Sequence, residues 1–504
     1  MKITLKKEEK ELVRTLVPKF IDVAVISTGK ASHYNSEKEQ KELLDKLHFE
    51  LMNFDRGVYS ILCAIDGVTD INKQLAVLNL LKTPYTNGTF VNQKEENNII
   101  HFLSNTLPPQ RMFKSFGLLK SNRINNKRVR KLIINSIVDS SKLEYWSVKY
   151  RKKLRKSLTH TWGRKNTLAA KSILSKGITP SIGNIKDKRF IKKLLFGERN
   201  NTVMECVSFI LGNENDLTLP LLKSFAEAKV DFAKGSGLPY EVMEGIRSTY
   251  HKDTWKKEET LKTVKDNLTT TQKKNFQKKA AKEGVKIDFN PAMFSAVELY
   301  IYAFENGMTD DIKKALKKKA ETAACNFMMN YENIGIVVDC SRSMFGDSTQ
   351  KLRPISVGLS TRDMLIKSCS NYFIKYTGGK KAGSLLVKPE GDTTLADAIL
   401  YMLEKEVDAV YVISDGYENV NGNRTNEVMK LVRKIGNNTP VFQFSPVTGA
   451  ESFGTKNLSE EISTLPVRDP GKLGLTMLKS FFEADPEGAL KHLYEETKRK
   501  VLKS

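Results

Sequence analysis

Apolar positions recur at three- and four-residue spacing through most of the first 330 residues. The spacing predicts helices over Glu39–Asn53, Gly57–Ile65, Asn72–Leu81, Val129–Ser136, Val203–Leu211, Leu219–Ala233 and Phe294–Phe304. The helices are short, separated by Gly, Asn or Pro, and carry no continuous heptad, which predicts antiparallel helix pairs stacked as an α-solenoid. No fixed repeat runs through the region, so a divergent solenoid and an irregular helical domain both satisfy the pattern. Leu143–His160 reads as one longer helix with an apolar stripe of Leu143, Trp146, Tyr150, Leu154 and Leu158.

From residue 331 the pattern changes. Ile334–Val338 is a short β-branched run that fits a strand covered on both faces, and it ends in Asp339-Cys340-Ser341-Arg342-Ser343. A helix over Thr361–Tyr376, a short strand over Gly383–Val387 and a Gly-rich loop entering a helix over Gly391–Ala398 follow. A second apolar strand, Ala409–Ile413, ends in Ser414-Asp415-Gly416. This alternation predicts a doubly wound α/β domain over 331–504 behind a helical domain over 1–330. In open α/β sheets ligands bind outside the carboxyl ends of the strands. There Asp339, Ser341 and Ser343 present one carboxylate and two hydroxyls on alternating positions, a set suited to octahedral Mg2+ or Mn2+ rather than Zn2+.

Charge separates the two regions further. Of the formal net charge of +24, residues 331–504 contribute almost nothing, with 23 basic and 22 acidic side chains. Residues 111–200 alone hold 25 basic and 4 acidic side chains. So dense a block favours a polyanionic partner through counterion release, and a bias of the whole chain would have made the second domain basic too. On a helix over 143–160, Lys149, Lys152, Lys153, Lys156 and His160 fall on one face; Arg151, Arg155 and Arg164 add fork-shaped phosphate donors and Lys165 a further cation. Arg123, Lys127, Arg128, Arg130 and Lys131 extend the patch with no acid among them. Trp162 fits either the core or a stack on an unpaired base. His251–Lys286, by contrast, mixes eleven lysines with five acids, as a solvated helix face does.

Five scattered cysteines and six scattered histidines make neither a disulfide framework nor a zinc spacing, and no H-E-x-x-H, G-x-S-x-G, Walker A or G-x-G-x-x-G motif occurs. The expectation is a protein without catalytic activity. The start lacks the apolar core of a signal peptide and no run of eighteen apolar residues occurs, so a cytoplasmic location is expected.

Asp339, Ser341 and Ser343, with Thr393 and Asp415, resemble the metal-ion-dependent adhesion site of von Willebrand factor A domains. The resemblance implies that the two serines and the threonine hold the metal directly, that the aspartates act directly or through water, and that one position stays open for a partner's carboxylate. The order of the whole chain is similar to the TROVE family of Ro autoantigen-type RNA-binding proteins. The join is closest: Phe289-Asn290-Pro291-Ala292-Met293-Phe294-Ser295-Ala296-Val297-Glu298-Leu299-Tyr300 resembles the family's Pro-led helix, with the Asp-x-Ser-x-Ser strand about thirty residues beyond. Lys149-Tyr150-Arg151 with Leu158-Thr159-His160 resembles a shortened form of the family's Lys-Tyr-x-x-Arg and Leu-x-His segment, without its Gly-Trp. This likeness implies HEAT-like repeats forming a ring closed by the von Willebrand A domain, structured small RNA on the outer face, and single-stranded RNA ends in the hole. It also implies a small ribonucleoprotein or RNA quality control, with an exoribonuclease as a conceivable companion. The competing expectation is an adaptor whose metal site grips a protein such as an AAA-type ATPase.

Overall fold

The computed structural model describes residues 6–27, 36–85, 91–176, 185–197, 200–327, 331–346, 350–381, 385–418, 422, 424–447, 455–473, 476, 478–479, 481–482 and 485–501. The first helices are α1 (Lys7–Ile26), α2 (Glu37–Phe54), α3 (Arg56–Cys63), α4 (Asp70–Lys82), α5 (Gln93–Asn105), α6 (Pro109–Ser121), α7 (Lys127–Val138), α8 (Leu143–Lys149) and α9 (Arg151–Leu174). Then come α10 (Ile185–Leu194), α11 (Asn201–Leu211), α12 (Pro220–Glu227), α13 (Tyr240–Tyr250), α14 (Lys257–Val264), α15 (Thr270–Asn275), α16 (Gln277–Lys282), α17 (Ala296–Asn306) and α18 (Asp310–Cys325). None of the described helices is long and apolar enough to cross a membrane.

The second region interleaves β1 (Asn333–Cys340), α19 (Arg353–Lys367), β2 (Asn371–Gly378), β3 (Lys380–Lys381), β4 (Val387–Lys388), α20 (Leu395–Leu403), β5 (Ala409–Ile413), α21 (Arg424–Lys434), β6 (Val441–Ser445), β7 (Ser463–Pro466) and α22 (Pro486–Val501). The main sheet is parallel throughout, in the order β2-β1-β5-β6-β7, while β3 and β4 form a separate antiparallel pair. Strand order reverses between β1 and β5, so a crevice opens where their carboxyl ends diverge. β1 is buried from Ile334 to Cys340, as a strand covered on both faces must be. At its start, a Cβ on Gly335 would lie 2.8 Å from Cβ of Met402, so only glycine lets α20 lie this close to the sheet.

One expected element is replaced. The helix predicted over Thr361–Tyr376 ends at Lys367, and Asn371–Gly378 is a strand in register with all of β1, Asp339 opposite Thr377. Tyr372, Phe373, Ile374, Tyr376 and Thr377 are aromatic or β-branched and suit a pleated surface better than a helical turn. Of the strand expected over Gly383–Val387, residues 383 and 384 lie outside the described residues, and Val387 pairs with Lys381. A buried network fixes α17 to α19 and β2: Arg362 donates to Asp363 (2.6 Å), to Tyr300 Oη (2.9 Å) and to Tyr376 Oη (3.0 Å), and Tyr300 donates to Asp363. Every partner is satisfied, which is the condition under which a buried guanidinium is tolerated.

The sequence places a join at 330/331, and one of the compact units of the structure is drawn from segments on both sides of it. One compact unit holds residues 1–76, 85–99 and 291–504; the other holds 77–84 and 100–290. The reason lies in α1, which packs against β7 and α22 with α3 also on α22. Lys479 Nζ donates to both oxygens of Asp22 (2.9 and 3.1 Å) and to the Thr464 carbonyl (3.0 Å), and Thr455 also donates to Asp22. In the other unit, α9 is the hub, packed against α6, α7, α8, α10 and α11.

Burial raises the pKa of Asp22 although Lys479 and Thr455 pull it down. Lys479→Met removes the cation paired with this carboxylate, and at neutral pH it is expected to cost about 3 kcal/mol of stability. The deficit shrinks as the pH falls through the raised pKa of Asp22, because the acid then needs no counterion; thermal melts across pH check both statements.

Candidate functional site

The carboxyl end of β1 carries Asp339, wholly buried, and the backbone beyond it turns into a 3₁₀ segment, Arg342–Phe345, that holds Ser343. Two backbone bonds latch the middle loop onto this end: Arg342 N–H donates to Gly391 O (3.0 Å) and Glu390 N–H to Cys340 O (2.9 Å). They carry Thr393 inward ahead of α20. Asp339 Oδ1 accepts from Ser341 N–H (2.9 Å) and Thr393 Oγ1 (3.4 Å), and the Ser341 and Ser343 hydroxyls lie 3.0 Å apart. Asp415, at the end of β5, is buried beside them, and its Oδ1 accepts from Tyr417 N–H (3.2 Å). The structure thus brings the five sequence-identified residues to the β1/β5 crevice.

Ser414 belongs to the same cluster and went unrecognised in the sequence. Its hydroxyl donates to Asp339 Oδ2 (2.7 Å) and accepts from Gly416 N–H (3.1 Å), so it satisfies the oxygen that Ser341 and Thr393 leave open. The signal was its position: the residue after a buried strand at a switch point faces the crevice whatever its type.

Burial, and then the charge of Asp415, push the Asp339 carboxyl up to about 7. The Ser341 amide and the Ser341 and Ser414 hydroxyls pull it down, so two carboxylates lie in one buried site with hydrogen-bond donors around Asp339. Three hydroxyls and two carboxylates fit a hard divalent cation, with Asp339, Ser341, Ser343, Thr393 and Asp415 as the residues able to hold it. No group of three His, Cys, Asp or Glu side chains with metal-holding geometry occurs among the described residues, and burial pushes the Cys340 thiol up to about 12, so it stays protonated. Soft-metal binding is therefore a poor fit.

The basic residues divide by environment. The helix expected over Leu143–His160 breaks at Tyr150 (φ −118°, ψ 21°), which moves Lys149 onto α8, away from the row on α9. Lys149 lies 3.3 Å from Glu241 and donates to Tyr145 Oη (3.3 Å); burial works to lower its pKa, but Glu241 and Tyr145 hold it above its ordinary value. Arg151 stacks on Phe209, 3.8 Å from the ring centroid, donates to the Phe209 carbonyl (2.8 Å) and pairs with Glu214 (2.6 Å). Arg155 donates to the Ile210 carbonyl (2.7 Å). The two arginines satisfy the carbonyl end of α11, where cations are favoured. Arg128 donates to the Leu80 carbonyl (3.3 Å), and Trp162 is buried in the core.

Lys152, Lys153, Lys156, Arg164 and Lys165 on α9 stay exposed, as do Arg123, Lys127, Arg130 and Lys131, and none of the nine forms an ion pair among the described residues. His160 joins the two groups. Its Nε2–H donates to Ile124 O (2.8 Å) while Asn125 Nδ2 donates back to His160 O (2.7 Å), which clamps the start of α7 to the middle of α9. Three residues on, Gly163 (φ 78°, ψ 160°) kinks the helix in a conformation that favours glycine, and Trp162 Nε1 donates to Leu194 O (3.2 Å), docking the end of α10 at the same point. Lys186, Arg189, Lys192 and Lys193 of α10 are exposed too, and sequence reasoning passed over them although they lie in the dense basic stretch. Three basic segments therefore meet at the kink.

No protein-family model matches the chain, and no curated protein matches it.

Between pH 3.8 and about 7 the folded protein keeps a proton on Asp339 that the unfolded chain has released, so metal-free stability falls as pH rises through this window. Asp339→Asn is expected to flatten that fall and to melt above the wild type in EDTA at about pH 8. Added Mg2+ should raise the wild-type melting temperature at this pH and leave that of the variant unchanged. A variant that melts below the wild type in EDTA would contradict the buried-carboxylate account.

Proposed function

We propose that this chain is a non-catalytic RNA-binding protein of the TROVE type, a scaffold of a small ribonucleoprotein or an RNA quality-control factor, whose α/β unit is a von Willebrand factor A domain holding Mg2+ or Mn2+. The observation that carries the reading is the convergence of α7, α9 and α10 on the Gly163 kink. Exposed cations from three segments gather there with few acids between them, while the rest of the local arginines are consumed by helix ends. A surface of this kind neutralises several phosphates at once, and affinity then comes from counterion release. A-form RNA exposes little sequence in its deep groove, so the shape of a structured small RNA selects among ligands. The resemblance of Phe289–Tyr300 and of the Asp339-x-Ser341-x-Ser343 strand to the family supports the same reading. In it, the metal site organises the α/β unit or captures a partner's carboxylate, and RNA is held elsewhere.

Filter binding of a structured small RNA across salt concentrations tests the proposal. Log affinity is expected to fall with log salt, and Lys152→Ala/Lys153→Ala/Lys156→Ala to reduce the slope by about 2 without lowering the melting temperature. Asp339→Asn should leave the slope intact. No RNA retention at about 50 mM salt would overturn RNA binding and favour an adaptor that grips a protein through the metal site.

A further inference from the structure

Among the described residues no strand covers the outer edge of β2. β2 is an end strand of the main sheet, its register partner is β1, and no strand among the described residues lies on its other side. Eight residues long, it is the kind of edge that proteins ordinarily shorten, cover or twist away. Its surface is also unusually aromatic for an exposed strand: Tyr372 is 47% exposed, Phe373 41%, and Tyr401, on neighbouring α20, 39%.

Side-chain alternation sorts these groups. Tyr372, Ile374 and Tyr376 face the α19 side, where Arg362 holds Tyr376 Oη, and Phe373 and Lys375 face α20. On that second face Lys375 Nζ lies 4.5 Å from the Tyr401 ring centroid, and Lys405 Nζ lies 5.0 Å from Tyr401 and 5.9 Å from Phe373. Two ammonium groups thus stand over two exposed rings beside a strand edge that no other strand among the described residues pairs with. β2 contains no acid, and the β3/β4 pair beyond it adds exposed Lys380, Lys381 and Lys388; the acids of the flanking segments are Glu332, Glu390, Asp392, Asp397, Glu404, Glu406 and Asp408, of which Asp397 pairs with Arg424 and Asp408 accepts from Asn333 N–H.

We propose that the outer edge of β2 receives an extended, acidic segment of a partner protein as an added strand. Strand addition draws affinity from main-chain hydrogen bonds and selectivity from alternate side chains. Apolar side chains of the incoming strand cover Phe373 and Tyr401, and acidic ones meet Lys375 and Lys405. A second copy of this chain is the wrong occupant, because antiparallel pairing of β2 with itself brings like charges together around the two-fold axis. A nucleic acid would use the rings and the lysines but leave the backbone edge unpaired, so the edge favours a peptide. This inference does not depend on RNA binding by the helical unit.

Hydrogen exchange on the full chain tests it, with an alternating valine–glutamate peptide of the same length as β2, eight residues, as the probe. The peptide is expected to slow amide exchange within 371–376. Versions N-methylated at every second residue, in either phase, should lose at least part of that protection, because one phase blocks the edge bonds outright. Lys375→Glu/Lys405→Glu should weaken the peptide roughly tenfold with an unchanged melting temperature. Absence of protection, or protection that survives N-methylation in both phases, overturns the proposal. So does protection by oligouridylate that is lost in Phe373→Ala/Tyr401→Ala, which would make the patch a nucleic-acid site.

Discussion

A carboxylate buried at the end of a central parallel strand must be balanced, and much of the α/β unit is arranged around that requirement. Asp339 reaches its position because β1 lies between β2 and β5 with both faces covered, and it meets a second carboxylate because the strand order reverses there. The Ser341 amide and the hydroxyls of Thr393 and Ser414 supply hydrogen bonds but no charge. Protonation relieves the repulsion at acid pH, and a divalent cation would relieve it above neutrality. The loop latches at Arg342 and Glu390 matter because they bring Thr393 into the crevice, and Gly335 matters because it lets the helix that follows Thr393 approach the sheet.

The helical unit meets a different electrostatic problem, an excess of cations. It disposes of part of the excess by internal use: Arg151 and Arg155 close the carbonyl end of α11, and Lys149 and Arg151 are neutralised by Glu241 and Glu214. What remains is concentrated where α7, α9 and α10 join. The clamp at His160 and the indole bond of Trp162 are thus the means by which a basic surface acquires a defined shape, although neither group need touch a ligand.

β1, β5 and helices such as α2, α3, α4, α7 and α11 were legible because one-sided or two-sided burial leaves its period in the sequence. Val203–Leu211 falls inside α11, and the candidate donors were visible because switch-point chemistry follows strand ends. The misreadings have specific causes. Thr361–Tyr376 mixes a helix and a strand joined by Lys367-Ser368-Cys369-Ser370-Asn371, and that polar join together with the aromatic and β-branched character of Tyr372–Thr377 marks the change. Spacing placed Lys149 with Lys152, Lys153 and Lys156, but spacing does not reveal the break at Tyr150 or the carboxylate of Glu241, ninety-two residues away. The ties of α1 to β7 were illegible for the same reason: nothing local to Asp22 points to Lys479.

That last tie bears on the order in which the chain can fold during synthesis. The unit containing the sheet begins with α1 but needs Lys479 and α22, so the buried Asp22 must wait for its counterion until more than four hundred further residues have been made. The helical unit lies within that interval and draws its contacts from residues 77–84 and 100–290. Domains that complete early fold early, and long-range closure comes slowly. The nascent chain therefore carries a finished basic unit while the sheet is still absent, and α1 and α3 are the helices whose partners, β7 and α22, are made last.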